Sequence, residues 1–315
     1  MKILPASAVV PTLHRPQVLA RAFASLFAQG ALPAELIVID ASDDTATRVE
    51  VEAFAAQTSG LCSVRWISAD IRGAAAQRNQ GVAVATQPFI WFFDDDIVFA
   101  PECVARLWRA IESDRSLGGV NATITNQRYQ PPGRVSRMLF TLLEGRRQHS
   151  FAGRVIGPGV NLLPEDRDDL PEVVLVEWVN TTCTIYRREA LPSPPFDSVF
   201  TGYSMMEDLT LSLRVARKWK LANARTARVF HDSQPGTYKA DITEMAVMEL
   251  INRHYVMTEI LGHKRPMDFV RLFVWETFQL VVCAAQTQSR STFWAVLRGK
   301  RRGVKELLRR HRYCL

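Results

Sequence analysis

Four short apolar runs alternate with helical patterns over the first third of the chain. The runs are PASAVVPT (5–12), ELIVID (35–40), VRWIS (64–68) and PFIWFF (88–93). The segments between them, such as PQVLARAFASLFAQ and GAAAQRNQGVAVA, repeat apolar residues at helical spacing or are rich in alanine. Because the runs are apolar throughout rather than alternating, they are predicted to be parallel strands in a sheet covered by helices on both faces.

The pattern changes after a helix predicted at 101–113. The later predicted elements are loops around a short helix at 127–172, a pair of strands at 173–189 and a helix at 207–220. They are followed by a strand at 224–233 and by helices only from 241 onward. We therefore expect an α/β domain over residues 1–235, with a mixed sheet flanked by helices and a division near residue 125. A helical C-terminal region is expected at 236–315.

Composition narrows the class of protein. Hydrophobic residues make up 47% and charged residues 23% of the chain, as in soluble globular proteins. The cysteines form no CxxC pair, which argues against a zinc site or a disulfide framework and suits a reducing compartment. They are Cys62, Cys103, Cys183, Cys283 and Cys314. We recognise neither a signal peptide nor an uncharged run of about 18 residues, and so expect a cytoplasmic protein.

The net charge of +7 is concentrated at the C-terminus. Residues 286–315 contain nine Lys or Arg residues and one acid, Glu306, so the remainder is close to neutral. The preceding segment RPMDFVRLFVWETFQLVVCAA has Arg271, Glu276 and Gln279 within one helical arc. This pattern predicts an amphipathic helix lying on the cytoplasmic face of an anionic membrane, and the alternative is packing of both helices on the first domain. Nucleic acid is not expected as a partner, because no binding motif accompanies the charge.

Three adjacent carboxylates, Asp94, Asp95 and Asp96, follow the fourth predicted strand, and Asp40 ends the second. The carboxyl ends of parallel strands meet at one edge of a sheet, where ligands bind, so these acids are expected to share a crevice. A DxD sequence there can hold Mg²⁺ or Mn²⁺ and, through it, a phosphate-bearing ligand. A solvated acidic turn explains the triplet equally well.

Two later features also have alternative explanations. Glu207 and Asp208 open a predicted helix, where the macrodipole alone favours acids. His231 ends the strand that follows, and a lone histidine at such a position is commonly a polar loop residue. The order of an Asp after the second strand, DxD after the fourth, Glu-Asp at a late helix start and a following His is much rarer than its parts.

In this order of motifs, over roughly residues 5–235, the chain resembles the family 2 glycosyltransferases, which are inverting enzymes of the GT-A fold. The resemblance implies a donor half at about 1–125 and an acceptor half at about 126–235. VVPTLHRP, IVIDASDD, the Arg-Asn helix and the DxD segment are similar to the family's nucleotide-sugar site. The donor-binding residues implied are Pro11, Thr12, Arg15, Asp40, Arg78, Asp94 and Asp95.

The same resemblance implies the remaining roles. Asp96 and His231 would bind Mn²⁺ or Mg²⁺, and Asp208 would be the general base, with Glu207 as a second candidate. Trp178 is a candidate for stacking on an acceptor sugar, although a core tryptophan is the simpler explanation. The chain departs from the family where Ala41-Ser42-Asp43-Asp44 replaces a common Asp-Gly-Ser.

The function implied is metal-dependent, inverting transfer of a sugar from a nucleotide-diphosphate sugar, with UDP favoured, to a glycan or lipid-linked acceptor during cell-envelope glycan synthesis. One rival is a phosphatase or phosphotransferase that uses DDDIV as a DxDxV nucleophile segment. Such enzymes place that segment at the first core strand, whereas here it follows the fourth. A second rival is a non-catalytic, membrane-docked scaffold with the same fold.

Overall fold

The structure is a computed structural model, which describes residues 1–234, 241–286 and 290–312, with side chains up to residue 309. The chain divides into two compact units. The first contains 1–130, 152–154 and 162–234, and the second contains 131–151, 155–161 and 235–315. Parts of the helical region expected at 236–315, namely 236–240, 287–289 and 313–315, lie outside the described residues, and Cys314 is among them.

The first unit begins with four parallel strands and three helices, as predicted. Its strands are β1 (Lys2–Thr12), β2 (Ala31–Asp40), β3 (Ser63–Ser68) and β4 (Phe89–Phe93). The helices are α1 (Pro16–Phe27), α2 (Ala46–Gln57) and α3 (Ala74–Val84). The strand order is β3-β2-β1-β4, and each neighbouring pair is parallel. The apolar runs form this sheet because they can be buried on both faces.

The sheet then continues as a mixed sheet. Its further strands are β5 (Ile97–Phe99), β6 (Leu117–Ile124), β9 (Val173–Val176), β10 (Cys183–Arg187) and β11 (Lys220–His231). β10 is antiparallel to β4 and β6, β11 is parallel to β6, and the short β5 is antiparallel to β11. β9 pairs with β11. The mixed sheet flanked by helices confirms the expected fold class.

Two of these strands were not predicted. β5 has only three residues. β6 contains Gly118 and Gly119, which lower strand propensity but are required here, because a Cβ at either position would lie 2.6 Å from Trp219 or Tyr186. The helices α4 (Cys103–Ser113) and α6 (Glu207–Val215) lie where helices were predicted, although α6 is shorter, because β11 already begins at Lys220.

The core of the first unit fills the space between the sheet and the helices. One large apolar cluster includes Leu19 and Phe23 of α1, Trp91 of β4 and Leu107 of α4. On α3, Gly81 lies directly against β1, since a Cβ there would be 2.3 Å from a methyl group of Val9. This glycine allows α3 to approach the sheet closely.

The second unit is mainly helical. Its elements are α5 (Arg134–Glu144), the two-residue strands β7 (Val155–Ile156) and β8 (Val160–Asn161), α7 (Ile242–Tyr255), a π-helical turn (Val256–Ile260), α8 (Pro266–Gln286) and α9 (Arg290–Arg312). Asp241 caps α7 by accepting hydrogen bonds from the amides of Thr243 and Glu244. Among the described residues, no helix is both long and apolar enough to cross a membrane.

The helices α7, α8 and α9 are joined by buried charges. Glu276 of α8 lies 3.4 Å from Arg253 of α7 and 2.6 Å from Lys300 of α9. Glu249 of α7 contacts the same two cations, at 3.0 and 2.7 Å. Two acids and two bases therefore balance inside this unit, so that Lys300 of the basic C-terminal segment is not available to a partner.

Helix α8 buries two acids together with Leu272 and Trp275, and it leaves other apolar side chains exposed. Asp268 and Glu276 are buried, whereas Val270 and Phe273 are 50% and 71% exposed. The predicted polar arc of this helix thus faces the protein rather than water. Helix α5 shows a similar exposed row, formed by Val135, Met138 and Leu142.

Candidate active site

The carboxyl ends of β1, β2 and β4 meet at one edge of the sheet and carry the predicted polar residues. Gln77 of α3 ties two of these ends together, because its Nε2 donates to the carbonyls of Thr12 and Ile39, at 3.0 and 2.7 Å. The hydroxyl of Thr12 in turn donates to Asp95 at 2.7 Å. Residues far apart in the chain are thereby held in one place, as expected for this edge.

The three adjacent carboxylates have different partners. Asp94 accepts from Arg78, Asp95 from Thr12 and Arg15, and Asp96 from Arg15. Asp95 is buried, so it is not a solvated turn residue. Burial and the neighbouring Asp96 raise the pKa of Asp95 to about 7, while Arg15 and Thr12 oppose the shift. The three carboxylates therefore form a hydrogen-bonded, largely buried cluster rather than an acidic turn facing water.

Asp96 lies next to His231. Its Oδ1 is 3.0 Å from His231 Nε2, and its Oδ2 accepts from the amide of Gln234 at 3.3 Å. Burial alone would raise the pKa of Asp96, but the hydrogen bond and charge of His231 lower it below the ordinary value. The pair forms because β5, which directly follows Asp96, is paired with the end of β11, and His231 lies opposite Ile97.

Asp94, Asp96 and His231 are suitable ligands for a divalent cation. One ligand atom from each lies within 4.8 Å of the others. Two carboxylates and an imidazole are donors that suit Mn²⁺, and the carboxylates also suit Mg²⁺. The set contains the two predicted ligands, Asp96 and His231, and adds Asp94. A second set, His14, Asp43 and Asp44, is fully on the surface.

Arg78 connects the DxD segment to the Glu-Asp pair. Its guanidinium donates to Asp94 at 2.7 Å and to Glu207 at 3.0 Å, and its side chain is only 4% exposed. Burial would lower the pKa of Arg78, but Asp94 and Glu207 raise it above its ordinary value. A permanently charged cation is therefore fixed between the two acidic motifs.

The acids at the start of α6 are positioned by an unusual loop. Gly202 forms a parallel bridge with Gly73, and the amide of Ala75 donates to the Ser204 hydroxyl at 3.3 Å. Ser204 and Met206 both have positive φ angles, 56° and 73°, a conformation that non-glycine residues adopt rarely and that is common at functional sites. The loop thus brings α6 to the end of α3.

The two acids at the start of α6 are both buried, and their pKa values differ. It raises the pKa of Glu207 to about 8, with a further contribution from Asp208 that outweighs the opposing charge of Arg78. Burial also raises the pKa of Asp208 to about 6, while the hydrogen bond from the amide of Leu209 opposes this shift. At neutral pH Asp208 is therefore mainly ionised and Glu207 mainly protonated.

Asp40 lies at the expected strand end, but its oxygens are already engaged. Oδ1 accepts from the amide and hydroxyl of Ser42, and Oδ2 accepts from the indole of Trp66 at 3.0 Å. A carboxylate oxygen can accept two hydrogen bonds, so Oδ2 of Asp40 retains the capacity for one further donor. The neighbouring Pro11 is buried in β1 opposite Ile39.

Trp178 is buried, and its indole nitrogen donates to the carbonyl of Leu162 at 2.7 Å. A ring held in this way presents little surface to a sugar, so its environment favours the core interpretation over acceptor stacking.

Several residues that support the site were not predicted. Besides Gln77, they include Asn126 and Gln127, which follow β6. Asn126 exchanges two hydrogen bonds with the backbone of His231, and Gln127 lies 3.5 Å from the ring. Amides of this kind have no distinctive sequence pattern, and the unpredicted strand β6 is what brings them to His231.

Comparison with known proteins supports a single class. A family model described as "Glycosyl transferase family 2" matches residues 7–163. Among solved structures, the mannosyltransferase PcManGT from Pyrobaculum calidifontis, in complex with GDP-Man and Mn²⁺, has a TM-score of 0.56 at 16% identity. The match covers 94% of this chain and 72% of that one.

A second similar structure is GalNAc-T7 with UDP, GalNAc and Mn²⁺, with a TM-score of 0.55 at 15% identity. It is matched over 81% of this chain but only 47% of its own. At such identities these likenesses establish the fold. No curated protein sequence matches the chain.

Proposed function

This chain belongs to glycosyl transferase family 2 and is a glycosyltransferase of the GT-A fold, and from that premise we propose that it transfers a sugar from a nucleotide-diphosphate sugar to an acceptor hydroxyl with inversion. The observation that carries the proposal is the single cluster at the sheet edge. There the ligand atoms of Asp94, Asp96 and His231 converge, and Arg78 joins Asp94 to the Glu-Asp pair of α6. Family membership also favours this function over the two alternatives, a phosphatase or phosphotransferase and a non-catalytic scaffold.

Asp208 is the proposed general base. An inverting transfer is a single displacement, in which the acceptor hydroxyl loses its proton as it attacks the anomeric carbon. A base with a pKa of about 6 is ionised at neutral pH and still basic enough to take that proton. Glu207, with its pKa near 8 and its contact with Arg78, instead holds the guanidinium in place.

The donor is proposed to bind along the ends of β1, β2 and β4. A Mn²⁺ or Mg²⁺ ion held by Asp94, Asp96 and His231 would offset the negative charge of the departing nucleoside diphosphate. Arg15 lies 3.2–3.3 Å from Asp95 and Asp96, so it supplies a second positive charge beside the same phosphates. UDP is the proposed nucleotide, and a glycan or lipid-linked acceptor of the cell envelope is the proposed recipient.

The donor proposal is tested by thermal unfolding with UDP-, GDP- and dTDP-sugars, each with and without Mn²⁺. We expect one nucleotide sugar to stabilise the protein by about 2.7 kcal/mol at a concentration near 100 Kd, and only when Mn²⁺ is present. Asp96→Asn should remove this metal-dependent stabilisation. Asp43→Asn, in the exposed second acidic set, is the matched control and should keep it.

Two results would count against the proposal. If no nucleotide sugar stabilises the protein with Mn²⁺, the transferase site has been misassigned. If Asp96→Asn binds donor and metal as the unmodified protein does, the assigned ligand set is wrong, whatever the activity.

We also propose that the second unit attaches the enzyme to an anionic membrane surface, at the cytoplasmic face. Helix α8 and its neighbour α5 expose apolar rows that include Met138, Val270 and Phe273. Rows of large exposed apolar side chains commonly mark an interaction site. Exposed arginines on α5 and α9, such as Arg134, Arg137 and Arg298, make an anionic bilayer the complementary partner.

Vesicle sedimentation tests this attachment. The full chain should bind vesicles that contain phosphatidylglycerol, bind neutral phosphatidylcholine vesicles far less, and lose binding as salt increases. The double variant Met138→Asp, Phe273→Asp should weaken binding about tenfold or more, since burying each large apolar side chain contributes about 1.5–3 kcal/mol.

Val49→Asp is the control, because Val49 is also an exposed apolar residue and lies on α2 of the first unit. Vesicle binding that is insensitive to lipid charge, or an equal loss of binding in the control, would rule out the α5 and α8 surface as the membrane-binding site.

A further inference from the structure

One side chain of α3 is polar although it lies on the buried face of the helix. Gln77 is only 4% exposed, and the other buried residues of this face include Ala75 and Gly81. An apolar residue would satisfy packing at this position, because burying an amide is unfavourable unless its hydrogen bonds are made. The polar atoms of Gln77 therefore have a role that packing does not explain.

Both ends of the Gln77 amide are engaged. Nε2 donates to the carbonyls of Thr12 and Ile39, and these two bonds use both of its hydrogens. Oε1 accepts from the amide of Gly73, the N-cap residue of α3, at 3.3 Å. This last contact is similar to a capping box, in which a side chain reaches back to the N-cap amide. One side chain thus joins the start of α3 to the ends of β1 and β2.

The two carbonyls lie where the paired part of the strands ends. The register of β1 with β2 runs to Thr12 opposite Asp40, and Ile39 immediately precedes Asp40. The carbonyl of Thr12 also accepts from the amide of Ala41, at 3.0 Å. Gln77 therefore adds a second bridge between the two strands at their last pair and fixes the spacing of their ends.

Two residues of the proposed donor site depend on this spacing. Thr12 donates its hydroxyl to Asp95 at 2.7 Å, and Asp40 is the acid that ends β2. Gln77 acts on both through the backbone, because its bonds go to the carbonyl of Thr12 and to that of the residue before Asp40. It is thus placed to position the groups that would contact the donor, from behind the site.

The loop before α6 is held to α3 by other groups. The Ser204 hydroxyl accepts from the amide of Ala75, and Glu207 accepts from Arg78. Neither bond involves Gln77. Loss of its amide should therefore disturb the ends of β1 and β2 more than the proposed general base of α6.

We infer that Gln77 is a positioning residue that sets the affinity for the nucleotide part of the donor, by holding the ends of β1 and β2 at a fixed spacing. The inference rests on the proposed donor site. It assigns to a buried glutamine an effect on nucleotide binding that is separate from any contribution to the stability of the fold.

Calorimetric titration of the full chain with UDP, GDP and dTDP, each with Mn²⁺, tests the inference. Gln77→Met keeps an unbranched side chain of similar length but removes all three hydrogen bonds. The Kd of the nucleotide that binds the unmodified protein should rise about tenfold. The KM for the corresponding nucleotide sugar, measured through its hydrolysis, should rise by a similar factor, while kcat changes by less than about threefold.

Gln80→Met is the matched control. Gln80 lies one turn further along α3, and its amide donates to the carbonyl of Ser68 and accepts from the amide of Asp70, after β3. The same substitution on the same helix then removes two bonds to the backbone but leaves the ends of β1 and β2 untouched. Nucleotide affinity should stay close to that of the unmodified protein.

Urea unfolding separates positioning from a purely structural role. Both methionine variants should lower the free energy of unfolding, since each removes hydrogen bonds. A purely structural residue would leave the Kd of the nucleotide unchanged wherever the variant is fully folded. Gln77→Glu is the second variant: it keeps an oxygen for the amide of Gly73 but has at most one hydrogen to donate, so it should also weaken nucleotide binding.

Each outcome decides the matter. Unchanged nucleotide affinity in either folded Gln77 variant, or an equal loss in Gln80→Met, overturns the inference. A fall in kcat without a rise in KM also overturns it, because the effect would then lie on the general base. If neither Gln77 variant folds, the residue is required for the fold and the positioning role is wrong. Failure of the unmodified protein to bind any of the nucleotides contradicts the proposed function instead.

Discussion

Replacing Asp208 with asparagine is expected to lower kcat for sugar transfer about 10²–10⁴-fold, the usual contribution of a positioned general base. Asparagine has nearly the same shape and keeps an oxygen that can accept from the amide of Leu209, but it cannot take a proton. Stabilisation by the nucleotide sugar and Mn²⁺ should therefore persist. The measurement is initial-rate kinetics together with thermal unfolding of the same variant.

The pH dependence supplies a second test of this role. Because burial raises the pKa of Asp208 to about 6, the ionised base is depleted below that pH and complete above it. The kcat of the unmodified enzyme should rise with pH through about 6 and then level off, and the residual rate of Asp208→Asn should lack this limb.

Glu207→Gln is the control, since glutamine keeps an oxygen for Arg78, and it should cost far less activity than Asp208→Asn. The reverse ranking would make Glu207 the base.

Replacing Arg78 with methionine is expected to lower the free energy of unfolding by about 3–5 kcal/mol near pH 8, the range found when one member of a buried ion pair is removed. Methionine fills part of the volume but leaves Asp94 and Glu207 without their shared cation. The free energy should be measured by urea unfolding at several pH values.

The sign of the pH effect follows from Glu207. Arg78 opposes the rise in the pKa of this residue to about 8, so removing the guanidinium raises that pKa further above its value in the unfolded state. The resulting loss of stability is present at high pH and shrinks as pH falls through about 8, because Glu207 is then protonated in the folded state with or without Arg78.

Two further variants make this result specific. Arg78→Met combined with Glu207→Gln should recover part of the loss. Arg48→Met, which removes an exposed arginine paired with Glu52, should change stability by less than about 1 kcal/mol. If Arg78→Met lowers the free energy of unfolding no more than Arg48→Met does, the buried ion pairs of Arg78 do not stabilise the fold.

The sequence predicted the first half of the sheet well because its strands are apolar on both faces. β1 to β4 and the positions of Asp40 and Asp94–Asp96 follow from that pattern alone. The sequence also supplied both acids of α6 and His231, but only as separate motifs. Their roles as base and metal ligands stay predictions until the variants are measured.

The contacts between motifs depend on features that have no local signal. His231 meets Asp96 only because the three-residue strand β5 pairs with the end of β11. Glu207, which contacts Arg78, follows directly on a loop in which Ser204 and Met206 adopt positive φ angles. In α8, the sequence located the polar arc but not the direction it faces, since that depends on the buried partners Arg253 and Lys300.

The glycine at position 81 determines how far Arg78 can reach. The two residues are one helical turn apart on the buried face of α3, and Gly81 has no room for even a methyl group against Val9. An alanine there would push this turn of the helix away from the sheet and carry the guanidinium with it. The contacts of 2.7 and 3.0 Å that join the two acidic motifs would then lengthen. Gly81 thus sets the distance between α3 and the sheet, and with it the position of the Arg78 guanidinium.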